Sequence, residues 1–195
     1  MTPLDDAALD RLFRTARTHN AWKAQPLPEG ALERIYELAR MGPTSANSNP
    51  GRFVFCVSEE AKEKLASAAS STNAPKIKAS PCTAIVGHAL DFHEHIPRLF
   101  PHNPGMKDVF AKPEFAETTA FRNGTLQGAY MIMAARALGF DCGPMSGFSN
   151  AKVDELFFAG TNIRSNFICS IGYGEPAGLF GRLPRFEFDE ACRVL

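Results

Sequence analysis

The sequence predicts a chain of α+β or α/β class built around one sheet. Three observations predict it. Helical patterns outnumber β-rich runs, the β-rich runs are interleaved with them, and one long helical stretch is apolar on nearly every side. The 195 residues suit one domain spanning 1–195, with no internal repeat, low-complexity segment or clear linker. At 45% hydrophobic and 22% charged residues, the composition is that of a globular protein with a sizeable core.

Leu9, Leu12, Phe13 and Ala16 recur at helical spacing and predict a helix over 5–16. "RTHNAWKAQPLP" breaks that pattern. Pro28 then opens a second helix, with Glu29 in its first turn and Leu32, Ile35 and Ala39 on its buried face. Gly42-Pro43 ends it. "RFVFCV" is the first strand, and Ser58 caps a helix over 59–69 that carries Glu59 and Glu60 in its first turn. "SSTNAPKIKASP" reads as a polar loop and "CTAIVGHA" as the second strand. Residues 91–116 show no clean period and read as a short helix plus an irregular excursion.

"ETTAFRNGTLQGAYMIMAARALGF" is the longest helix. Phe121, Leu126, Ala129, Tyr130, Ile132, Met133 and Leu138 cover much of its circumference, so it must be covered on most sides, by its own chain or by a second subunit. Gly139 stops it. "DCGPMSGFSN" reads as a small-residue loop, Ser149 or Asn150 as the cap of a short helix to about Phe158, and "SNFICSIGYG" as a third buried strand. The tail "GEPAGLFGRLPRFEFDEACRVL" is too irregular for core and too apolar for disorder.

Several functions are disfavoured. A formal net charge of zero argues against nucleic-acid binding by bulk electrostatics. The N-terminus lacks the basic start and apolar stretch of a signal peptide, and "NGTLQGAYMIMAA" is too short to span a bilayer. The five cysteines include no CxxC pair. Cys56, Cys82 and Cys169 lie in apolar runs, which fits a reducing cytoplasm. Four of the five histidines gather in "HALDFHEHIPRLFPH", but none has the i, i+4 spacing of a helical HExxH site, and no metal is expected. There is no GxSxG. Cys142 beside Gly143-Pro144 reads as a plain turn cysteine, since no histidine is near it in sequence.

No GxGxxG or GxxxxGK[ST] run exists, so a phosphate would have to be held by side chains such as Arg17, Arg182 or Arg185, whose planar forks suit oxyanions. "GPTSANSNPGRF", residues 42–53, is the least ordinary segment. It offers two serines, two asparagines and two prolines and no acid, just before a core strand. Small residues let backbone approach a flat ligand, Ser and Asn satisfy its polar edge, and proline stiffens the loop. The 16 phenylalanines read first as core and second as an aromatic wall for a planar ligand.

"ARTHNAW", "GPTSANSNPGRFVF", "TNAPK", "GPMSGF" and "GRLPR", in this order from about residue 10 to 190, resemble the FMN-dependent nitroreductase family. Within it, "TARTHN", "MGPTSAN", "AFRN", "LGFDCGPMSGF", "FFAG" and "GRLPR" are most similar to the malonic semialdehyde reductase branch. The resemblance implies an α+β nitroreductase-like fold with a central, mostly antiparallel sheet flanked by helices. It implies a homodimer with the long apolar helix at its interface, a C-terminal arm over the partner, and two FMN sites.

The resemblance also distributes roles. Arg17, Thr18 and His19 would line the polar side of the flavin. Pro43, Thr44, Ser45 and Asn47 would come from the partner along the isoalloxazine. Asn73 would meet the pyrimidine edge, and Pro144, Met145, Ser146 and Gly147 would pass near N5. Arg182 and Arg185 would hold the phosphate. Three positions depart from the family pattern. Ser146 stands where many members have Glu, Gly51-Arg52 replaces an aromatic after Pro50, and Ala21 replaces a Lys or Arg.

The implied activity is hydride transfer from NADPH or NADH through FMN to a small acceptor. The acceptor would be 3-oxopropanoate, with a nitro compound or quinone as the alternative and a non-catalytic flavin-binding dimer as the reading outside enzymes. No side chain is assigned as catalytic, because flavin N5 carries the chemistry. Arg52 or Arg122 would meet a substrate carboxylate.

Overall fold

The computed structural model describes residues 2–195. Four strands form one fully antiparallel sheet: β1 (Gly51–Cys56), β2 (Cys82–Ala89), β3 (Asp141–Met145) and β4 (Ile163–Gly172), in the order β1-β2-β4-β3. Gly51 pairs with His88, Cys82 with Ile171 and Met145 with Ile168. The two edges of the sheet are therefore β1 and β3. The class is α+β, as the resemblance implies.

Alternation along the inner strands splits the core into two layers. Ala84 and Val86 of β2, with Cys169 and Ile171 of β4, face α2 (Ala31–Ala39) and α7 (Pro113–Ala137). Ile85 and Ile168 point the other way, onto α3 (Glu59–Ala66), α4 (Ala74–Ala79) and α8 (Asn150–Phe157). A third cluster, Phe92, Ile96, Phe110, Ala116 and Ala120, sits under the excursion after β2. That excursion folds as a 3-10 turn (Phe92–His95), α5 (Ile96–Leu99) and α6 (Met106–Phe110).

α7 lies close on the sheet because Gly124 and Gly128 carry no side chain there. A Cβ on Gly128 would stand 2.7 Å from Phe167 Cζ, and one on Gly124 2.8 Å from His88 Cβ. The helix ends through Gly139, at φ +93°, a conformation that costs other residues free energy. Ser58 and Ser149 cap α3 and α8 through their hydroxyls, accepting from Ala61 and Lys152. The predicted 5–16 helix is α1 (Asp6–Leu9) running into a π-helical turn, Asp10–Arg14.

Four expectations are corrected. The 70–81 segment is not all loop, because Pro75 at an N-terminal position starts α4. The 141–150 segment is not loop at its start. Asp141–Met145 is edge strand β3, short and glycine- and proline-bearing, so it lacks the β-branched signature that marks an inner strand. Cys142 is consequently a buried strand residue rather than a turn residue. Pro28 and Glu29 precede α2, whose cap is Gly30 at φ +72°.

The C-terminal tail leaves the body after Gly174. It includes a 3-10 turn, Pro176–Gly178, and one short helix, α9 (Phe188–Ala191).

Candidate functional site

The residues singled out from the sequence form three groups. The first lies against β3. Thr18 makes a parallel bridge with Cys142, and the His19 N–H donates to the Cys142 carbonyl at 3.0 Å. This approach needs Gly143, where a Cβ would stand 2.4 Å from the His19 carbonyl oxygen. His19 is 7% exposed. Its Nε2 lies 3.4 Å from Asp141 Oδ1, while Asp141 Oδ2 accepts from the Gly174 N–H at 2.9 Å. His19 Nδ1 and Trp22 Nε1 are buried with no protein partner, an uncommon state for polar atoms.

Arg17 donates to the Phe180 carbonyl, and Arg182 donates to the carbonyls of Arg14 (2.7 Å) and Ala16 (3.2 Å). These bonds tie the start of the tail to the end of the first helical segment. Arg17 also lines a small cavity of about 260 Å³ with Arg11 and Arg136. Arg185 is exposed and donates to the carbonyls of Leu183 and Pro184.

The second group is at the far end of β3. Pro144 is exposed and Met145 half-buried, and the strand stops there, leaving Ser146 and Gly147 exposed beyond the last ladder pair. The Gly147 carbonyl accepts from the Ser70 N–H at 2.9 Å and from Asn73 Nδ2 at 3.2 Å. A Cβ on Gly147 would come within 2.7 Å of Asn73 Nδ2. From Cys142 to Gly147 the first two groups make one strip of roughly 17 Å at antiparallel spacing.

The third group is the loop before β1. Pro43, Ser45 and Asn47 are exposed and Thr44 is half-buried. Ala46, Asn47 and Asn49 all have positive φ, between 43° and 48°. Such strain persists only when the surroundings hold it. Here Asn123 Oδ1 accepts from the Ser45 N–H at 2.8 Å, Gln127 Oε1 accepts from the Gly51 N–H at 2.7 Å, and Gln127 Nε2 donates to Asn49 Oδ1 at 3.2 Å. Asn47 Nδ2 donates to the Leu99 carbonyl, and Thr44 Oγ1 accepts from the Asn49 N–H.

Asn123 and Gln127 were not among the residues expected at the site. Their signal was present: two amide side chains at i, i+4 on the buried face of α7, where apolar residues are the rule.

Within one chain these groups do not all meet. The strip belongs to edge β3 and the loop leads into edge β1. Three inter-strand spacings, roughly 14 Å, separate the edges. The buried thiols add no nucleophile. Cys56 is pushed up to about 11 and Cys82 to about 12 by burial. Cys169 is raised further by its contact with Cys142 and by burial. Among the described residues no group of three or more His, Cys, Asp or Glu is placed to hold a metal ion, and no helix is long and apolar enough to cross a membrane.

Comparison with known proteins gives a consistent picture. Residues 13–173 match the model of the Nitroreductase family. A Caulobacter vibrioides protein provisionally named NADH dehydrogenase/NAD(P)H nitroreductase is 56% identical over 195 residues, covering all of both chains. HadB of Ralstonia pickettii, under the same provisional name, is 55% identical over 190 residues, covering 96% of this chain and 97% of that one. A solved structure from Exiguobacterium sibiricum, provisionally described as a nitroreductase in complex with FMN, shares the fold with a TM-score of 0.86 at 18% identity. It covers 100% of this chain and 99% of that one.

Proposed function

Because the chain belongs to the nitroreductase family, we propose that it is an FMN-dependent NAD(P)H oxidoreductase acting as a homodimer. In this reading it reduces malonic semialdehyde (3-oxopropanoate) to 3-hydroxypropionate. It is a single nitroreductase-like domain that works in the cytoplasm, on small molecules rather than on nucleic acid or a membrane.

The observation that carries the reading is the split site. A strip of small residues and donors lies on edge β3, and a strained, neutral, donor-rich loop lies on edge β1. Two copies in antiparallel apposition bring one chain's loop to the other chain's strip, which gives two sites per dimer. Exposed Phe121 (53%) and Leu126 (45%) on α7, which line one cavity, supply apolar surface for that apposition.

The residues present fit a flavin. The Gly147 cradle would admit a flat ring edge, Asn73 would meet its pyrimidine edge, the backbone at Ser146 and Gly147 would pass near N5, and Arg17, Arg182 and Arg185 would hold its phosphate. Pro43, Thr44, Ser45 and Asn47 of the second copy cover the ring. FMN, when bound, supplies the hydride relay between the nicotinamide and the acceptor.

The chain's own residues position and protonate. Asn123 and Gln127 keep the loop in one strained shape, so its ordering is settled before binding. Thr44 Oγ1 accepts from the Asn49 N–H, so its hydroxyl hydrogen stays free to reach an acceptor oxygen that gains charge. Arg52 donates to the carbonyls of Asn49 and Gly51 beside the same loop, and in this reading its cation meets the carboxylate of an acid-aldehyde. The substrate assignment is supported by these features and by the motif run shared with the malonic semialdehyde reductases. The names carried by the close relatives favour a second reading, a broad NAD(P)H nitroreductase or quinone reductase.

Steady-state NADPH and NADH oxidation by the FMN-loaded protein, with fresh 3-oxopropanoate beside nitrofurazone and menadione, separates these readings. A lead of more than about tenfold in kcat/KM for the aldehyde, roughly 1.4 kcal/mol, supports the substrate. A lead for the nitro compound or quinone withdraws it and leaves the flavoenzyme. No turnover with any acceptor leaves a non-catalytic flavin-binding dimer.

A further inference from the structure

A small polar cavity of about 260 Å³ lies at the Cys142 end of the strip, between the first helical segment and the end of α7. Arg11, Arg17 and Arg136 line it, and none of the three makes an ion pair among the described residues. Two carboxylates line it as well, and both are engaged elsewhere. Asp10 pairs with Arg14 at 3.1 Å. Asp141 faces His19 Nε2 through one oxygen and accepts from the Gly174 N–H through the other. Three guanidiniums thus share one cavity with two occupied acids, in a chain whose net charge is zero.

The local backbone builds this cluster. The Thr15 N–H reaches back to the Asp10 carbonyl at 2.9 Å, which closes the π-helical turn Asp10–Arg14. Such turns are rare and concentrate at functional sites. Arg11 leaves that turn and lies over Gly139, where a Cβ would stand 3.2 Å from its Nη1. Arg136, in the last turn of α7, donates to the Leu12 carbonyl at 3.2 Å, which uses one of its N–H groups. Donors therefore exceed free acceptors around the cavity. In the flavin reading, Arg17, Arg182 and Arg185 would hold the FMN phosphate. Arg11 and Arg136 are surplus to that task.

We infer that Arg11 and Arg136 form a phosphate-monoester site beside the FMN phosphate, and that its ligand is the 2′-phosphate of NADPH. The inference rests on the flavin reading and deepens it by naming which nicotinamide coenzyme the chain prefers. NADPH and NADH differ only at this group, which carries about two negative charges at neutral pH. A guanidinium fork answers it with paired N–H donors, and an arginine meets the same phosphate in dinucleotide folds of other design. Nicotinamide meets the flavin at the Gly147 end in this reading. A dinucleotide laid from there along the strip, roughly 17 Å at antiparallel spacing, carries its adenosine end toward Arg17 and the cavity behind it. Its phosphates then lie near that of FMN, and the surplus cations offset the repulsion.

Calorimetric titration of the FMN-loaded protein tests this without turnover, with adenosine 2′,5′-bisphosphate, AMP and inorganic phosphate as probes. The bisphosphate is expected to bind about tenfold or more tighter than AMP, and Arg11→Gln with Arg136→Gln to erase that margin. In steady-state assays the same pair is expected to lower the NADPH-to-NADH ratio of kcat/KM by a similar factor. Arg11→Lys with Arg136→Lys keeps the charge without the fork and falls between. Circular dichroism checks the fold of each variant, and the wild-type comparison of probes stands without any variant. Equal affinity for the bisphosphate and AMP overturns the inference. So does inorganic phosphate that binds as tightly as the bisphosphate, which gives the cavity to a free anion. FMN affinity that falls as far as bisphosphate affinity in the glutamine pair overturns it too, because the two arginines then serve the flavin phosphate. A wild-type chain that takes up no FMN would fail the flavin reading itself, a distinct result that removes this inference with it.

Discussion

Asn73, at the turn that opens α4, donates through Nδ2 to the carbonyl of Gly147 just past β3, 3.2 Å away and 74 residues later in the chain. The Ser70 N–H donates to the same oxygen, so two elements from the α3–α4 side fix the end of the strip. Gly147 is the position where no side chain fits without displacing Asn73. Asn73→Ala removes one of the two bonds and the donor proposed to meet the flavin. A hydrogen bond of this kind is worth about 1 kcal/mol net. The expected result is a loss of FMN affinity of roughly five- to tenfold, read by flavin fluorescence quenching, with a fall in melting temperature of about 2–4 °C. Gly147→Ala is expected to weaken FMN at least as much, and equal binding by both variants and wild type would remove Asn73 from the site.

The loop before β1 depends on α7. Asn123→Ala leaves the Ser45 N–H without its acceptor and loosens a segment with three non-glycine residues at positive φ. Losing a satisfied partner in a part-buried place costs about 1–3 kcal/mol. The variant is expected to be cut faster by protease between residues 43 and 50 and to retain less FMN through purification. Saturating FMN restores both. Cleavage at the wild-type rate would show that the loop holds its shape without α7.

Gly143 lets the 17–19 segment lie on β3. Its Cβ would stand 2.4 Å from a backbone oxygen, which cannot swing away as a side chain tip does. Gly143→Ala is expected to destabilise by about 1–3 kcal/mol, as overpacking does. At this chain length that lowers the melting temperature by roughly 2–4 °C per kcal/mol. A melting temperature within 1 °C of wild type would mean that the segment shifts freely, and that the His19–Cys142 pairing is not tight.

What could be read from the sequence followed the strength of local signals. β2 reads from Cys82 to Ala89 because small and β-branched residues fill seven of its eight positions, with His88 the exception, and the structure returns those bounds. Ser58 and Ser149 announce their helices because a cap is a local device. β3 was missed because "DCGPM" owes its strand state to pairing with β4, a partner some 25 residues further on that no local propensity reports. The site was legible as composition, in the loop 42–53 and in "GPMSGF", and as a resemblance. The resemblance implied that the loop 43–47 serves the partner's site, but that loop and strip lie on opposite sheet edges was not legible, since strand order is a non-local property. Asn123 and Gln127 show the intermediate case: visible as amides on a buried helical face, with a role that only the folded loop explains.

His88 gives the last prediction a sign. It sits at the end of β2, 5% exposed, edge-on to Phe121 with ring centroids 5.7 Å apart, with Nδ1 buried and unpartnered. Burial lowers its pKa from 6.5. Asp154 and Glu117 pull it back up, and Arg164 pushes it down. The folded state therefore binds this proton less readily than the unfolded state. Its contribution to stability is fully present above pH 6.5 and is lost as pH falls below that value toward the folded pKa. Urea unfolding between pH 7.5 and 5 is expected to show stability flat at the upper end and declining below about 6.5. His88→Gln cannot take up the proton, so its decline over the same interval is expected to be shallower, whatever its absolute stability. Parallel curves for the two proteins would assign the decline to other groups and leave His88 a packing residue.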